Sequence, residues 1–227
     1  MKIVDPTFSF MHVPDGEFVL QHLEQAARTC YKSEERVTPD SARKLLSRVI
    51  KLGHDSVLEH ILVTVRIVCD RGVTHELVRH RLCAFSQEST RYANYSQEKF
   101  GNEITVIRPF FWEDDDLRYD TWKKAMQSLE TAYLELVNLG STAQEARSVL
   151  PNSLKTEIVT TANIREWRHI FKLRCDKAAH PQMRQVMLPL LAAFQGRIPL
   201  LFDDLYQSSR REGSFLQVGG GSRAHSC

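Results

Sequence analysis

Residues 79 to 92 read RHRLCAFSQESTRY and concentrate side chains that bind anions. They include three arginines, one histidine, two serines and a glutamine, whereas Leu82, Ala84 and Phe85 indicate that part of the segment is buried. Burying a cation is costly unless an anion or hydrogen-bond acceptors compensate for its charge. The composition of this segment therefore predicts a partly buried anion site.

A second group of arginines follows, at Arg147, Arg165, Arg168 and Arg174. Within residues 79–92 and 163–174, six arginines occur against one lysine, Lys172. A guanidinium group is planar, permanently charged and suited to bidentate phosphate contacts, whereas a merely solvated surface is expected to use more lysine. These residue types indicate a phosphate-bearing or nucleotide ligand, and the alternative is surface charge balanced by ion pairs to Glu76, Glu88 and Glu166.

Three other kinds of chemistry are disfavoured by residue spacing. His75-Glu76 begins like the zinc-protease helix HExxH, but the next histidine is His80, five residues on and about 140° away around a helix. Neither serine of the arginine-rich segment lies in a G-x-S-x-G turn, which disfavours a hydrolase. The glycine cluster at 219–221 precedes no predicted helix, so it is not a Rossmann phosphate loop.

The composition of the whole chain is that of an ordinary globular protein. Its 227 residues are 42% hydrophobic and 26% charged, and the net charge of +2 gives no general polybasic surface, so we expect no nucleic-acid partner. The five cysteines are scattered and form no CxxC pair, which argues against a disulfide framework or structural zinc and favours a cytoplasmic protein. No signal peptide and no run of roughly 18 apolar residues is recognisable, so we expect no membrane association.

The elements that must position these residues include several helices, which the periodicity of apolar residues predicts. They are expected over residues 17–31, from Thr38 to Gly53, from Ser141 to Pro151, over 163–175 and over 181–194. A further helix is expected to end at Gly140 and to carry on one face Trp122, Met126, Leu129, Tyr133, Leu136 and Val137. Capping-box spacings are present at Ser56/Glu59, Ser141/Gln144 and Asn163/Glu166.

Segments rich in β-branched residues predict strands over 61–69, 103–108 and 154–162. The acidic cluster EDDD at 113–116 is expected to be a solvated loop. Because helices and few strands do not alternate regularly, we predict a single α+β domain over residues 1–212, with a small mixed or antiparallel sheet flanked by helices. Residues 213–227, which include GGGS, are predicted to form a flexible tail.

An ordered series of motifs resembles the flavin-dependent thymidylate synthases. Arg79-His80-Arg81, seven further residues and Ser89 match the family signature, and Arg91-Tyr92 completes it. The resemblance covers most of residues 20–190, since family segments occur in the family's order: HDSVLEH at 54–60, THELVRHR at 74–81, ARSVLP at 146–151 and NIREWRHIFKLRCD at 163–176.

The resemblance implies reductive methylation of dUMP to dTMP, with methylenetetrahydrofolate as carbon donor and with FAD that NADPH reduces. It also implies a homotetramer whose active sites are shared between subunits and need no enzyme nucleophile on the pyrimidine. The residues it assigns to FAD are Ser56, Glu59, Arg79, His80, Arg81, Gln87, Asn163, Arg165 and His169. Those it assigns to dUMP are Glu76, Arg79, Gln87, Glu88, Ser89, Arg91, Arg147 and Arg174, with His54 and Tyr92 near the folate and flavin rings.

Chemical roles follow for the residues so assigned. Arg91 and Arg147 can neutralise the nucleotide phosphate, and Ser89 can donate a hydrogen bond to it. Arg174 stays protonated and cannot act as a base, so its expected role is to stabilise negative charge that develops on the pyrimidine. The sequence departs from many members of the family at Glu76, where they have glutamine. The alternative function is a nucleotide-sensing or RNA-binding module that uses the same arginines without redox chemistry.

Overall fold

The computed structural model describes residues 1–30 and 32–211. Its helices are α1 (Gly16–Thr29), α2 (Ser41–Lys51), α3 (Arg71–Leu77), α4 (Leu117–Asn138), α5 (Ala143–Ala146), α6 (Ile164–Arg174), α7 (Pro181–Arg197) and α8 (Pro199–Arg211). Its strands are β1 (Lys2–Val4), β2 (Thr7–His12), β3 (Leu62–Asp70), β4 (Ala84–Gln87), β5 (Thr105–Ile107) and β6 (Lys155–Asn163). Tyr31 and the predicted tail at 213–227 lie outside the described residues.

The chain divides into two compact units, each drawn from two separate stretches. The first unit contains residues 1–14 and 61–166, and the second contains the described residues of 15–60 and 167–211. Of the three boundaries between the units, the last lies inside α6, between Glu166 and Trp167. The predicted mixed α+β class, with small sheets flanked by helices, is confirmed.

The first unit is built on a four-stranded antiparallel sheet in the order β2-β3-β6-β4. β3 and β6 pair from Leu62↔Asn163 to Asp70↔Lys155, and alternate residues of both strands are buried. This alternation is what an antiparallel sheet with one covered face requires. β1 and β5 form a separate parallel pair.

α4 supplies the apolar face that covers part of the first unit. Met126 and Tyr133 are buried against Tyr95, Ile104 and Val106, and all six residues predicted on that face of α4 belong to this cluster. The acidic loop before α4 is correctly placed. Its last member, Asp116, also has a structural role, because its carboxylate accepts from the Arg118 backbone N–H at 2.8 Å and caps the helix.

The second unit has an aromatic core contributed by α6, α7 and α8. Phe194 lies with its ring centroid 5.1 Å from those of Trp167, Phe171 and Phe202, and all four side chains are buried. Edge-to-face and tilted contacts of this kind add stability beyond the buried area. Trp167 and Phe171, two of the aromatics nearest the arginines of α6, are therefore core residues.

Two predicted helix starts and one capping-box spacing were wrong. α2 begins at Ser41, because the Ser41 hydroxyl closes a turn by accepting from the Thr38 N–H at 2.8 Å and donating to the Thr38 carbonyl at 2.9 Å. Ser56 and Glu59 lie in the short 3-10 helix Asp55–His60, which leaves no α-helical turn for a capping box. The box predicted at Ser141/Gln144 lies one residue later, at Thr142/Glu145.

The cap predicted for α6 is confirmed, since Asn163 Oδ1 accepts from the Glu166 backbone N–H at 2.9 Å. Among residues 1–30 and 32–211, no helix has both the length and the apolar character that a membrane crossing needs.

Candidate functional site

The RHR triplet forms the turn that follows α3. α3 is capped by Asp70 Oδ1, which accepts from the Val73 N–H at 2.7 Å, and it ends at Leu77. His80 is buried and its Nδ1 lies 3.2 Å from Glu166 Oε1, whereas Arg79 and Arg81 are exposed. The contact between His80 and Glu166 holds the turn against the first turn of α6, and the side chains of Arg79 and Arg81 are exposed to solvent.

The thiol that follows this turn is a poor nucleophile. Burial raises the pKa of Cys83 to about 12, and the nearby Glu166 carboxylate adds to the shift. Cys83 therefore remains a thiol at neutral pH.

Residues 84–91 continue as an edge strand and then a turn. β4 pairs with β6, and the Glu88 N–H extends the ladder by donating to the Glu157 carbonyl at 2.9 Å. At the turn, the backbone N–H groups of Tyr92 and Ala93 both donate to the Ser89 carbonyl, and the Arg91 N–H lies 3.3 Å from Ser89 Oγ. Ser89 and Arg91 are thereby held on a fixed turn at the edge of the sheet.

The Glu88 carboxylate is engaged within the first unit. Tyr95 Oη donates to one of its oxygens at 3.2 Å, and Lys155 Nζ donates to the other at 3.1 Å. Burial and the neighbouring Glu88 carboxylate both raise the pKa of Tyr95, so its hydroxyl keeps the proton that it donates. Burial alone would lower the pKa of Lys155, but hydrogen bonds to Glu157 and Glu88 outweigh it and raise the pKa. Glu88 therefore anchors the turn by its side chain.

Two exposed arginines connect this turn to the segment 144–147. Arg91 Nε donates to Gln144 Oε1 at 3.1 Å, and an Arg147 guanidinium nitrogen donates to Thr90 Oγ1 at 3.4 Å. These contacts join residues 89–91 to the segment 144–147 and use only part of each guanidinium. Both guanidinium groups are exposed and positively charged, so this edge of the first unit is cationic.

Tyr92 lies beside this surface with 78% of its area exposed. Its ring centroid is 5.6 Å from the Arg91 guanidinium carbon, a distance at which a cation attracts an aromatic face. The exposed ring is therefore available to contact a ligand ring.

The other predicted contacts are distributed between the two units. In the first unit, Glu76 is half-buried, Arg165 is exposed and Asn163 uses its carbonyl oxygen to cap α6. In the second unit, Arg174 is half-buried at the end of α6, and the exposed residues are His54, Ser56, Glu59 and His169. Arg165 and His169 are both exposed, as expected from their i,i+4 spacing on α6.

Arg168, a member of the second arginine group, is bound within the second unit. Its guanidinium forms two hydrogen bonds with the Asp204 carboxylate, at 2.8 and 2.5 Å, and another with the Leu201 carbonyl. Both partners lie on α8, a helix that the sequence did not predict. Arg168 therefore forms an ion pair, as the alternative predicted, but its partner is Asp204 and not Glu76, Glu88 or Glu166.

We predict that Arg168→Met destabilises the protein in a pH-dependent way. Burial alone would raise the pKa of Asp204, but hydrogen bonds from Arg168 outweigh it and hold the pKa below its usual value. A lowered carboxyl pKa contributes stability at neutral pH that is lost as the pH falls through the folded-state pKa. Because about half of the Asp204 side chain is exposed and water screens its charge, urea unfolding at about pH 7 should show a loss of about 1 kcal/mol or less, which shrinks below about pH 4. Lys172→Met, which removes an exposed cation of the same helix, is the control; an equal loss in both variants would contradict the ion-pair account.

Three residues that hold the turn were missed by sequence reasoning: Thr90, Tyr95 and Lys155. Their only sequence signal is position, since Thr90 lies inside the arginine-rich segment, Tyr95 follows it closely and Lys155 lies on a predicted strand.

Comparison with known proteins gives a consistent result. Residues 18–200 match the family described as thymidylate synthase complementing protein. The chain is 35% identical over 200 residues to the flavin-dependent thymidylate synthase of Geobacter sulfurreducens, covering 85% of this chain and 83% of that protein. It is 34% identical over 234 residues to the enzyme of the same name from Mycobacteroides abscessus, covering 95% and 90%.

Among solved structures, the fold is similar to that of the UMP/dUMP methylase PolB from Streptomyces cacaoi bound with 5-Br dUMP. The TM-score is 0.73 at 22% identity, over 92% of this chain and 97% of that one.

Proposed function

The chain belongs to the family of thymidylate synthase complementing proteins, and from this membership we propose that it is a flavin-dependent thymidylate synthase that methylates dUMP to dTMP. The substrate is a nucleoside monophosphate whose dianionic phosphate needs cationic partners. FAD, NADPH and methylenetetrahydrofolate are the proposed cofactor, reductant and carbon donor.

The observation that carries this proposal is the pair of contacts that joins the turn 89–91 to the segment 144–147, in which Arg91 donates to Gln144 and Arg147 donates to Thr90. One terminal phosphate can accept hydrogen bonds from both guanidinium groups and from the Ser89 hydroxyl. A nucleotide held by its phosphate at this edge can extend its ring toward Gln87, which lies on the same strand end.

The residues near the RHR turn fit a flavin dinucleotide. A pyrophosphate carries two negative charges, and Arg79 and Arg81 present two exposed cations on a turn that the buried His80 holds in place. Arg165, which also belongs to the first unit, is a further exposed hydrogen-bond donor. When bound, FAD reduced by NADPH supplies the hydride that the methylation requires.

The chain's own residues bind and polarise the substrate. Arg91, Arg147 and Ser89 hold the phosphate, and Arg174 stabilises negative charge on the pyrimidine as hydride arrives. No covalent bond from an enzyme nucleophile to the pyrimidine is proposed, and the raised pKa of Cys83 supports this view.

We further propose a homotetramer with active sites shared between subunits. Arg165 and His169 share one face of α6, and Arg174 lies on another. Nine residues separate Arg174 from Arg165, which places the two about 180° apart around the helix. Opposite faces of one helix can serve two different sites in an oligomer. A cytoplasmic location is supported by the free thiols of Cys30, Cys69, Cys83 and Cys175.

Flavin spectroscopy tests the proposed function. Purified protein should take up FAD and turn yellow, NADPH should bleach the colour under anaerobic conditions, and dUMP should accelerate the bleaching. Arg118→Gln, which removes an exposed arginine paired with Asp116, should behave as wild type. A protein that binds dUMP but takes up no FAD would instead be a nucleotide-binding module without redox chemistry.

A further inference from the structure

The amide of Gln87 lies between two buried threonine hydroxyls of the first unit. Its Nε2 is 2.9 Å from Thr74 Oγ1 and 3.3 Å from Thr156 Oγ1. Thr74 belongs to α3 and is fully buried, and Thr156 belongs to β6 and is also buried. Two rigid elements therefore hold the side chain of a residue at the end of β4.

The hydrogen bonds of Thr74 determine which end of the amide faces inward. The Thr74 hydroxyl donates to the Arg71 carbonyl at 3.0 Å. A hydroxyl has a single proton, so Thr74 can only accept from Gln87. The group that faces Thr74 must then be the NH₂ end of the amide, which places the carbonyl oxygen Oε1 at the other end.

This polarity limits what Gln87 can recognise. Its NH₂ group is used by the two threonines, so the part offered to a ligand is a hydrogen-bond acceptor. The matching ligand group is a ring N–H flanked by two carbonyls, the imide of a uracil or of a flavin. A cytosine ring has an unprotonated nitrogen at the equivalent position. The lone pair of that nitrogen would face the lone pairs of Gln87 Oε1, and two facing acceptors would weaken binding.

We propose that Thr74, assisted by Thr156, is a positioning residue that fixes Gln87 as an acceptor for the imide N–H of a bound ring. This inference rests on the proposed function and deepens it, because it supplies a reason for the choice of a uracil-type over a cytosine-type nucleotide. The imide belongs either to dUMP or to FAD, and the two sources are separable by experiment.

The test compares Thr74→Val with Thr74→Ser. Valine keeps the shape of the side chain but removes the acceptor, so the Gln87 amide can rotate by about 180° and exchange its oxygen and NH₂ positions. Serine keeps the hydroxyl. If dUMP supplies the imide, Thr74→Val should reduce the ratio of dUMP to dCMP affinity by about threefold to tenfold. If FAD supplies it, the affinity for FAD should fall by a similar factor while the nucleotide ratio is unchanged. In either case Thr74→Ser should restore the wild-type value.

Two further measurements keep the inference testable if Thr74→Val fails to fold. Thr156→Val removes the second acceptor without altering α3 and should shift the same ratio in the same direction. For the wild-type protein, dUMP or FAD methylated at the imide nitrogen should bind more weakly than its parent compound.

Unchanged dUMP-to-dCMP and FAD affinities in a folded Thr74→Val protein would overturn the inference, as would a Thr74→Ser protein that is equally impaired. Failure of the proposed function is a distinct result, in which the wild-type protein forms no dTMP. The inference alone fails when the wild type forms dTMP and the variants keep full selectivity.

Discussion

Replacing Arg174 by lysine is expected to lower the turnover of dUMP by about a hundredfold or more, with little change in melting temperature. Lysine keeps the positive charge but loses the planar fork of donors that can follow charge as it spreads over a pyrimidine ring. The side chain is half-buried at the last turn of α6, and the residues that anchor this helix, Trp167 and Phe171, are untouched by the change.

The rate at saturating dUMP and the melting temperature should be measured together for this variant. Lys172→Gln is a matched control, since it alters an exposed cation in the same turn of α6. Parallel losses of activity and thermal stability in Arg174→Lys would assign this arginine a structural role in place of a direct one.

Replacing Arg91 or Arg147 by glutamine should weaken dUMP binding by roughly 10- to 100-fold each, with a smaller effect on turnover at saturation. Arg91 lies on the turn that Arg147 contacts through Thr90, and the two arginines are proposed to hold one phosphate, so the double variant should lose less than the product of the single losses. Binding should also become less sensitive to salt as cations are removed.

Deoxyuridine, which lacks the phosphate, separates phosphate recognition from damage to the fold. The wild-type protein and both single variants should bind this nucleoside with similar, weak affinity. A variant that loses deoxyuridine binding as strongly as dUMP binding would show that its arginine supports the turn and not the phosphate.

The parts of the fold that the sequence predicted are those with regular periodicity. β3 and β6 alternate buried and partly exposed residues over nine positions each, and α4 repeats its apolar residues over 22. Their burial patterns follow from the period of the element itself. β4 was missed because its four residues lie within the arginine-rich segment, where polar side chains obscure the strand pattern.

The sequence predicted which residue types the candidate site contains. It predicted few of the contacts that those residues make. The arginines of 79–92 were visible from composition, and the motif order identified the family. The partners of those residues were not visible, because Arg91 contacts Gln144 across 53 positions and Lys155 contacts Glu88 across 67. Such pairs are set by how β6 and the segment after α4 pack against the turn, which local patterns do not encode.

For Arg168, the sequence suggested a ligand contact where the structure has an internal contact. Its type and spacing resembled those of an anion-binding arginine, but α8 supplies Asp204 as its partner. The pattern of residues 199–211 gave no predicted helix, so the internal ion pair could not be anticipated.

The identity of the folate product tests the central proposal most directly. Methylation of dUMP by a methylene group needs two electrons in addition to the transferred carbon. If reduced FAD supplies them, each dTMP formed is accompanied by one tetrahydrofolate and one oxidised flavin. Protein reduced with NADPH and freed of excess reductant should therefore convert dUMP and methylenetetrahydrofolate to equal amounts of dTMP and tetrahydrofolate as the yellow colour returns. Formation of dihydrofolate while the flavin stays reduced, or the absence of dTMP, would contradict the account.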